Sequence, residues 1–381
     1  MKKIILFFLI TCLTACKNEQ AKQLTEAFSG EPLQLKYAKG FTVKDYGTYK
    51  ILEIISPWPK AYKSYHFALL NKNYDVEFWY TEKSRFDAII EIPIKKIVVT
   101  STTHIPALEL LNVEQTLVGF PGTDYISSEK TRNRIDNGLV RELGKNEGIN
   151  TEVLLELKPD VVIGFGIDGN NRTFETIKKS GIPVIFNGDW VEESPLAKAE
   201  WIKFFGVLFN KEKEADSIFN AIEKDYLEAK TLAKNAKTKP SILSGAMHND
   251  VWFLPNGTST EAKLLKDANT NYLWSDSEGT GSLSLNFETV FSKAKEADIW
   301  ISPSNYENKE ALKKANSHHA MFNAFQNNNI YSSINTKGKS GGILYFELGT
   351  TRPDLVLKDL IKICHPQLLK NYHLYFFKKL E

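Results

Sequence analysis

Lys211-Glu212-Lys213-Glu214-Ala215-Asp216-Ser217-Ile218-Phe219-Asn220-Ala221-Ile222-Glu223-Lys224-Asp225-Tyr226 opens a run that continues to Lys237 with no glycine or proline, and Pro240 stops it. Apolar residues fall at Ala215, Ile218, Phe219, Ile222, Tyr226, Ala229 and Ala233. That is the three-and-four spacing of one helix face. Charged residues such as Lys213, Glu214, Glu223, Lys224 and Glu228 take the other faces. At 1.5 Å per residue such a helix would reach roughly 40 Å. This is long for a crossover inside one α/β lobe and suits a strut between two.

The flanks of the run resemble each other. Asn150-Thr151-Glu152-Val153-Leu154-Leu155-Glu156-Leu157-Lys158-Pro159-Asp160-Val161-Val162-Ile163 precedes it. Asn286-Phe287-Glu288-Thr289-Val290-Phe291 leads through Ala297-Asp298 to Ile299-Trp300-Ile301 after it. Both read Asn-x-Glu, a short apolar helix, an Asp and a β-rich strand, the second copy two residues longer. A repeat on either side of a spacer predicts two related lobes.

At the start, Met1-Lys2-Lys3 and the apolar run Ile4 to Ile10 lead to Leu13-Thr14-Ala15-Cys16. The run is too short to span a bilayer and reads as a cleaved signal. A Cys directly after Leu-x-Ala resembles the lipobox of bacterial lipoproteins, in which Cys16 receives the lipid. Cys12 would leave with the signal, so Cys364 would stand alone, without an intrachain disulfide, as a buried helical residue. The 381 residues carry 48 Lys and Arg against 46 Asp and Glu, a net charge of +2. No basic stripe with interleaved aromatics occurs, which argues against nucleic acid.

Boundaries follow from these signals: signal and lipobox 1–16, tether 17–31, β-rich extension of the N-lobe 32–95, N-terminal α/β lobe 96–193, linker helix region 194–238, C-terminal α/β lobe 239–366 and tail 367–381. Within the extension, Tyr49–Ile55, Tyr65–Leu70 and Val76–Tyr80 alternate as strands. From Lys96 onward, strands at Ile97–Thr100, Thr116–Gly119, Val161–Gly164, Val184–Asn187, Ile242–Gly245, Ile299–Ser302 and Ile330–Ser332 are mostly separated by helical segments. This predicts parallel sheets with right-handed crossovers. The expected class is α/β: two Rossmann-like α/β lobes joined by one long α-helix, with a β-rich N-terminal extension. Ligands in open sheets sit beyond the carboxyl ends of the strands. On that rule the candidate ligand residues are Thr103, His104, Tyr125, Gly166, Asp168, Trp190, His248, Trp252, Trp274, Tyr306 and Tyr345. Their aromatic share suits a bulky, partly apolar ligand.

Two other chemistries are visible. Gly164-Phe165-Gly166-Ile167-Asp168-Gly169 matches G-x-G-x-x-G after a strand, with Asp189 twenty residues on, the pattern of a dinucleotide-dependent enzyme. The helix that follows, Arg172 to Lys179, lacks the small residues that let such a helix pack closely on its strand. His104 and His248 each follow a lobe-opening strand, and with Asp124, Asp168 or Asp250 they could form a receptor for a free transition-metal ion. No H-x-x-x-H, H-E-x-x-H or G-x-S-x-G pattern is present, and no catalytic residue, resident metal or cofactor is expected. A surface-exposed structural lipoprotein would instead show no cleft.

From about Lys95 to Pro366 the chain resembles the substrate-binding lipoproteins of ABC importers for iron-siderophore, haem and cobalamin. The blocks that carry the resemblance are Lys96-Ile97-Val98-Val99, Glu152 to Ile163, Ser180-Gly181-Ile182-Pro183-Val184, Phe205 to Ala215, Trp252-Phe253-Leu254-Pro255-Asn256-Gly257, Leu283 to Glu288, and Arg352-Pro353-Asp354 with His365-Pro366. The resemblance implies no enzymatic activity and a metal chelate held between the lobes. It implies a permease dimer with ATPase subunits as partner, and a monomer anchored through Cys16 in the cell envelope, on the periplasmic or outer side of a bacterial membrane. Glu152 and Glu288 match the paired lobe-surface glutamates that dock onto permease arginines, and the single linker helix implies slight closure. The cleft loops carry no dense arginine cluster, so cobalamin or haem suits them at least as well as a strongly anionic siderophore.

Overall fold

The structure is a computed structural model in which residues 30–71, 79, 81–169, 171–303 and 306–381 are described. The signal, Cys16 and most of the tether lie outside these residues, as does Val76–Tyr80 apart from Trp79. Trp79, expected in a strand, is helical and packs with Ala68 and Leu70.

The N-terminal extension is one five-stranded sheet in chain order: β1 (Glu31–Pro32), β2 (Phe41–Asp45), β3 (Tyr49–Ile54), β4 (Tyr65–Leu70) and β5 (Ala88–Glu91). Only the β4–β5 pair is parallel. Alternation turns Phe41, Val43, Leu52, Ile54, Phe67 and Leu69 onto the core of the first lobe. Two buried carboxylates fasten the entry to this sheet. Glu200 accepts the N–H groups of Lys36, Tyr37 and Ala38 at 2.9, 2.7 and 2.9 Å. Glu192 accepts those of Lys39 and Gly40 at 2.8 Å each, together with the Trp201 indole N–H. Charge-assisted bonds of this kind are about twice as strong as neutral ones.

The first lobe follows: β6 (Ile97–Val99), α1 (Ile105–Leu110), β7 (Leu117–Phe120), α2 (Glu129–Asp136), β8 (Arg141–Glu142), the hairpin β9 (Gly144–Lys145) and β10 (Gly148–Ile149), α3 (Thr151–Leu157), β11 (Val161–Gly164), α4 (Arg172–Lys179) and β12 (Val184–Phe186). Its sheet is all parallel, in the order β12-β11-β6-β7-β8.

The linker is α5 (Pro195–Glu200), α6 (Ile202–Leu208) and α7 (Glu212–Ala233). At 22 residues, α7 spans about 33 Å, one turn less than the sequence suggests because the chain leaves the helix at Lys234. Its apolar stripe is shared: Ala215, Phe219 and Ile222 belong to the first core, and Tyr226, Ala229 and Ala233 to the second. One helix is thereby part of both cores.

The second lobe runs β13 (Ser241–Ser244), β14 (Ala246–His248), β15 (Val251–Pro255), α8 (Thr260–Asp267), β16 (Asn271–Tyr272), β17 (Ser282–Leu285), α9 (Phe287–Ala294), β18 (Ile299–Ile301), α10 (Lys309–Ala315), α11 (Asn323–Gln326), β19 (Ile330–Ser332), α12 (Leu344–Leu348), α13 (Pro353–Cys364) and β20 (Lys378–Lys379). Its main sheet has the order β16-β13-β18-β19-β20, and β14-β15-β17 form a small antiparallel sheet. The last residues, set apart above as a tail, supply β20. Buried Asp359 accepts the N–H groups of Tyr375, Phe376 and Phe377 and holds them to the lobe. Cys364 ends α13, buried, and burial pushes its thiol up to about 12.

The repeated motif plays the same part twice. Asn150 caps α3 and Asn286 caps α9 through their side-chain oxygens. Asp160, before β11, accepts the N–H groups of Lys95 and Lys96 at the start of β6. Asp298, before β18, accepts the N–H and hydroxyl of Ser241 at the start of β13. In each lobe the Asp pins the opening strand to its parallel neighbour.

Candidate ligand-binding cavity

A cavity of about 640 Å³ opens at the carboxyl ends of the second lobe's strands. Ser244 ends β13 with Gly245 directly after it, Ile301 ends β18 with Ser302 after it, and Ser332 ends β19 with Ser333 after it. Gly245 has φ +73° there, and a Cβ would lie 1.8 Å from the Phe253 carbonyl oxygen, so only glycine lets β13 turn this tightly against β15. Thr260 and Glu261 at the start of α8, and Tyr345 and Phe346 of α12, add further walls. The first lobe contributes Trp190, Val191 and Glu192, Lys198 comes from α5, and Pro59 comes from the extension.

The chemistry is aromatic and hydroxyl-rich, with few charges. Lys198 is the lining ammonium, against the carboxylates of Glu192 and Glu261, and Glu192 is already committed to Lys39, Gly40 and Trp201. Among the described residues the Trp190 indole N–H has no partner, and burial raises the Tyr345 phenol above its ordinary range. Close to Trp190 lies Asp189, whose carboxyl is pushed up to about 6 by burial although Lys198 and the Thr103 hydroxyl pull the other way.

Of the candidates read from sequence, the cavity lining includes Trp190 and Tyr345. Thr103 stands behind it, donating to Asp189 at 3.2 Å. His104 points into the core beside Phe205, with both ring nitrogens unpartnered among the described residues and its pKa held down to about 3 by burial. His248 is exposed next to Asn249. The two histidines therefore do not converge, and among the described residues no cluster of three or more His, Cys, Asp or Glu could hold a metal. Trp252 is fully buried, donates to the Ser244 carbonyl at 3.0 Å and stacks on Trp300. Trp274 is buried beneath Lys293, and Tyr306 packs beside His319. Tyr125 exposes its ring and Asp168 is exposed. Gly166 and Gly169 lie under the Trp58 indole, which a Cβ at either position would meet at 3.4 Å.

Ser244, Gly245, Ser302 and Ser332 line the cavity without being among the candidates, because the strand-end rule points to the loops beyond the strands. The lining begins on the last strand residues themselves.

A two-lobe α/β scaffold on one shared helix, with a cavity at the strand ends, defines a ligand-binding protein of the periplasmic type. Residues 97–333 match the family model described as periplasmic binding protein, and the chain belongs to that family. It is 29% identical over 324 residues to an uncharacterised lipoprotein of Methanocaldococcus jannaschii, covering 82% of this chain and 75% of that one. Among solved structures it is similar to the periplasmic haem-binding protein HutB of Vibrio cholerae, with TM-score 0.53, 18% identity, and coverage of 69% of this chain and 99% of that one. It is also similar to an ABC-type Fe3+-hydroxamate transport protein of Saccharomonospora viridis, with TM-score 0.52, 17% identity, and coverage of 71% and 93%. At such identities the likeness is one of fold. Proteins of this family are substrate-binding components of transport, not enzymes.

Proposed function

We propose that this chain is the solute-binding component of an ABC importer, capturing a metal chelate (a ferric siderophore, cobalamin or haem) between its lobes and delivering it to a permease dimer driven by ATPase subunits. The observation that carries the reading is the aromatic, hydroxyl-lined cavity at the strand ends of a family member, with Trp190 facing it from the first lobe. The haem and hydroxamate specificities in the names of the two similar structures support the cargo class. Glu152 and Glu288 are exposed in the first turns of α3 and α9, one per lobe, and are assigned to permease docking. Cys16 is assigned to lipidation, which the lipoprotein relative supports, with the monomer facing the periplasm or exterior.

The test is a tryptophan-fluorescence titration of the chain from Lys17 with cyanocobalamin, haemin, a ferric catecholate, a ferric hydroxamate and free zinc, corrected for chelate absorbance. Saturable sub-micromolar quenching by one chelate is expected. Binding of zinc alone, or silence across the panel, would overturn the cargo assignment.

A further inference from the structure

We propose that Pro59, held in place by the loop joining β3 to β4 (residues 55–64), forms a fixed third wall of the ligand cavity and sets which cargo fits it. The proposal rests on the solute-binding reading. The family match begins at residue 97, so this loop lies outside the matched segment, yet Pro59 lines the same cavity as Trp190 and Glu192.

Three features hold the loop there. Trp58 is buried and meets Phe186 edge to face, with ring centroids 5.1 Å apart. Its indole covers Gly166 and Gly169, where a Cβ would come within 3.4 Å of it. The loop backbone also presses on the turn that leads to Trp190: a Cβ on Gly188 would lie 2.8 Å from the Ser56 carbonyl oxygen. The glycines of this region thus make room for the extension. Glu192 then joins the two parts, because it lines the cavity while accepting the N–H groups of Lys39 and Gly40, at the entry to β2. Pro57 and Pro59 bracket Trp58 and restrict the backbone on both sides. A wall so pre-organised excludes oversized ligands instead of adapting to them.

The experiment uses the chain from Lys17, in which buried Cys364 is the remaining thiol. Bimane attached to a Pro59→Cys variant reports the wall without any cargo. Its fluorescence should rise when Trp190→Phe is added, over the constant quenching by adjacent Trp58. Haemin, cyanocobalamin and a ferric hydroxamate are then titrated against wild type, Pro59→Trp and Tyr62→Ala. Tyr62 is 90% exposed and off the cavity. The bulk added at position 59 should weaken the chelate that wild type binds at least tenfold, with Tyr62→Ala unchanged. A bimane signal indifferent to Trp190→Phe overturns the wall, and unchanged binding by Pro59→Trp overturns its selective role. If wild type binds none of the three chelates while the bimane still responds to Trp190→Phe, the cargo reading fails and the wall stands.

Discussion

The Glu347 carboxylate of the second lobe accepts the backbone N–H of Ser128 in the first at 2.9 Å, and that of Ser127 beside it. This is a direct polar bond between the lobes apart from the shared helix, and Ser340 reinforces it by donating to the Ile126 carbonyl at 3.2 Å. Burial drives the Glu347 pKa up to about 7 from 4.5, the Glu109 charge adds to the rise, and the two N–H bonds oppose it. Glu129, Lys337, Lys339 and Tyr375 share the surrounding hollow. A carboxyl whose folded pKa is raised contributes stability that is full below its unfolded value and lost as pH climbs through the folded one. Wild type should therefore lose up to about 3 kcal/mol between pH 4.5 and 8 through this group. Glu347→Gln should remove that slope, so its stability relative to wild type should improve as pH rises. Urea unfolding across this range measures it, and a pH-independent difference would show that Glu347 does not titrate there.

The two strand clamps should cost alike. Asp160→Ala and Asp298→Ala each strip two charge-assisted bonds from a lobe-opening strand. Both carboxylates are exposed, so each loss should be about 1 kcal/mol, and the double variant should be additive within about 0.5 kcal/mol because the sites share no partner. Denaturant midpoints check this, and strong coupling would mean the lobes unfold through a common step at these strands.

The repeat that carries these clamps was legible in the sequence because its spacing, like the α7 stripe, is a local pattern, whereas the pinning itself joins residues 57 to 65 positions apart. Asn150, Asp160, Asn286 and Asp298 could be matched by spacing, and Phe219 and Tyr226 by period. The cavity was not legible in the same way. In β15 Trp252 turns to the core and stacks on Trp300, while the residues after it, Phe253, Leu254 and Pro255, line the cavity. The larger ring at this strand end is a core residue, and no spacing separates it in the sequence from the neighbours that line the cavity. His104 follows a strand as an exposed ligand would, but the 3-10 turn Thr102–His104 rotates it against Phe205. Ser244, Ser302 and Ser332 carry no spacing signal, because their role comes from three strands ending at one level.

Glu152→Arg and Glu288→Arg should separate capture from delivery. Both side chains are exposed in first helical turns, where a carboxylate contributes about 0.5 kcal/mol to its helix. Stability and chelate affinity should therefore change little, while uptake in cells carrying the cognate permease falls at least tenfold for either variant. Unchanged uptake would remove both residues from the docking surface.

Lys198 should discriminate cargo by charge. It is the lining ammonium of a cavity that also holds Glu261, so an anionic group on the ligand has this cation to meet. A hydrogen bond to a charged partner contributes about 1.5–3 kcal/mol, so Lys198→Met should weaken haemin, with its propionates, at least tenfold, and more at low salt, where screening is least. Cyanocobalamin, whose corrin side chains are amides and which carries one phosphodiester anion against the two propionates of haemin, should lose less. The substitution also removes the positive charge that opposes the desolvation of Asp189, so that carboxyl should titrate higher still in the variant. Parallel Kd measurements at two salt concentrations decide the matter: equal losses for both ligands would show that Lys198 acts through Asp189 and does not discriminate the cargo by charge.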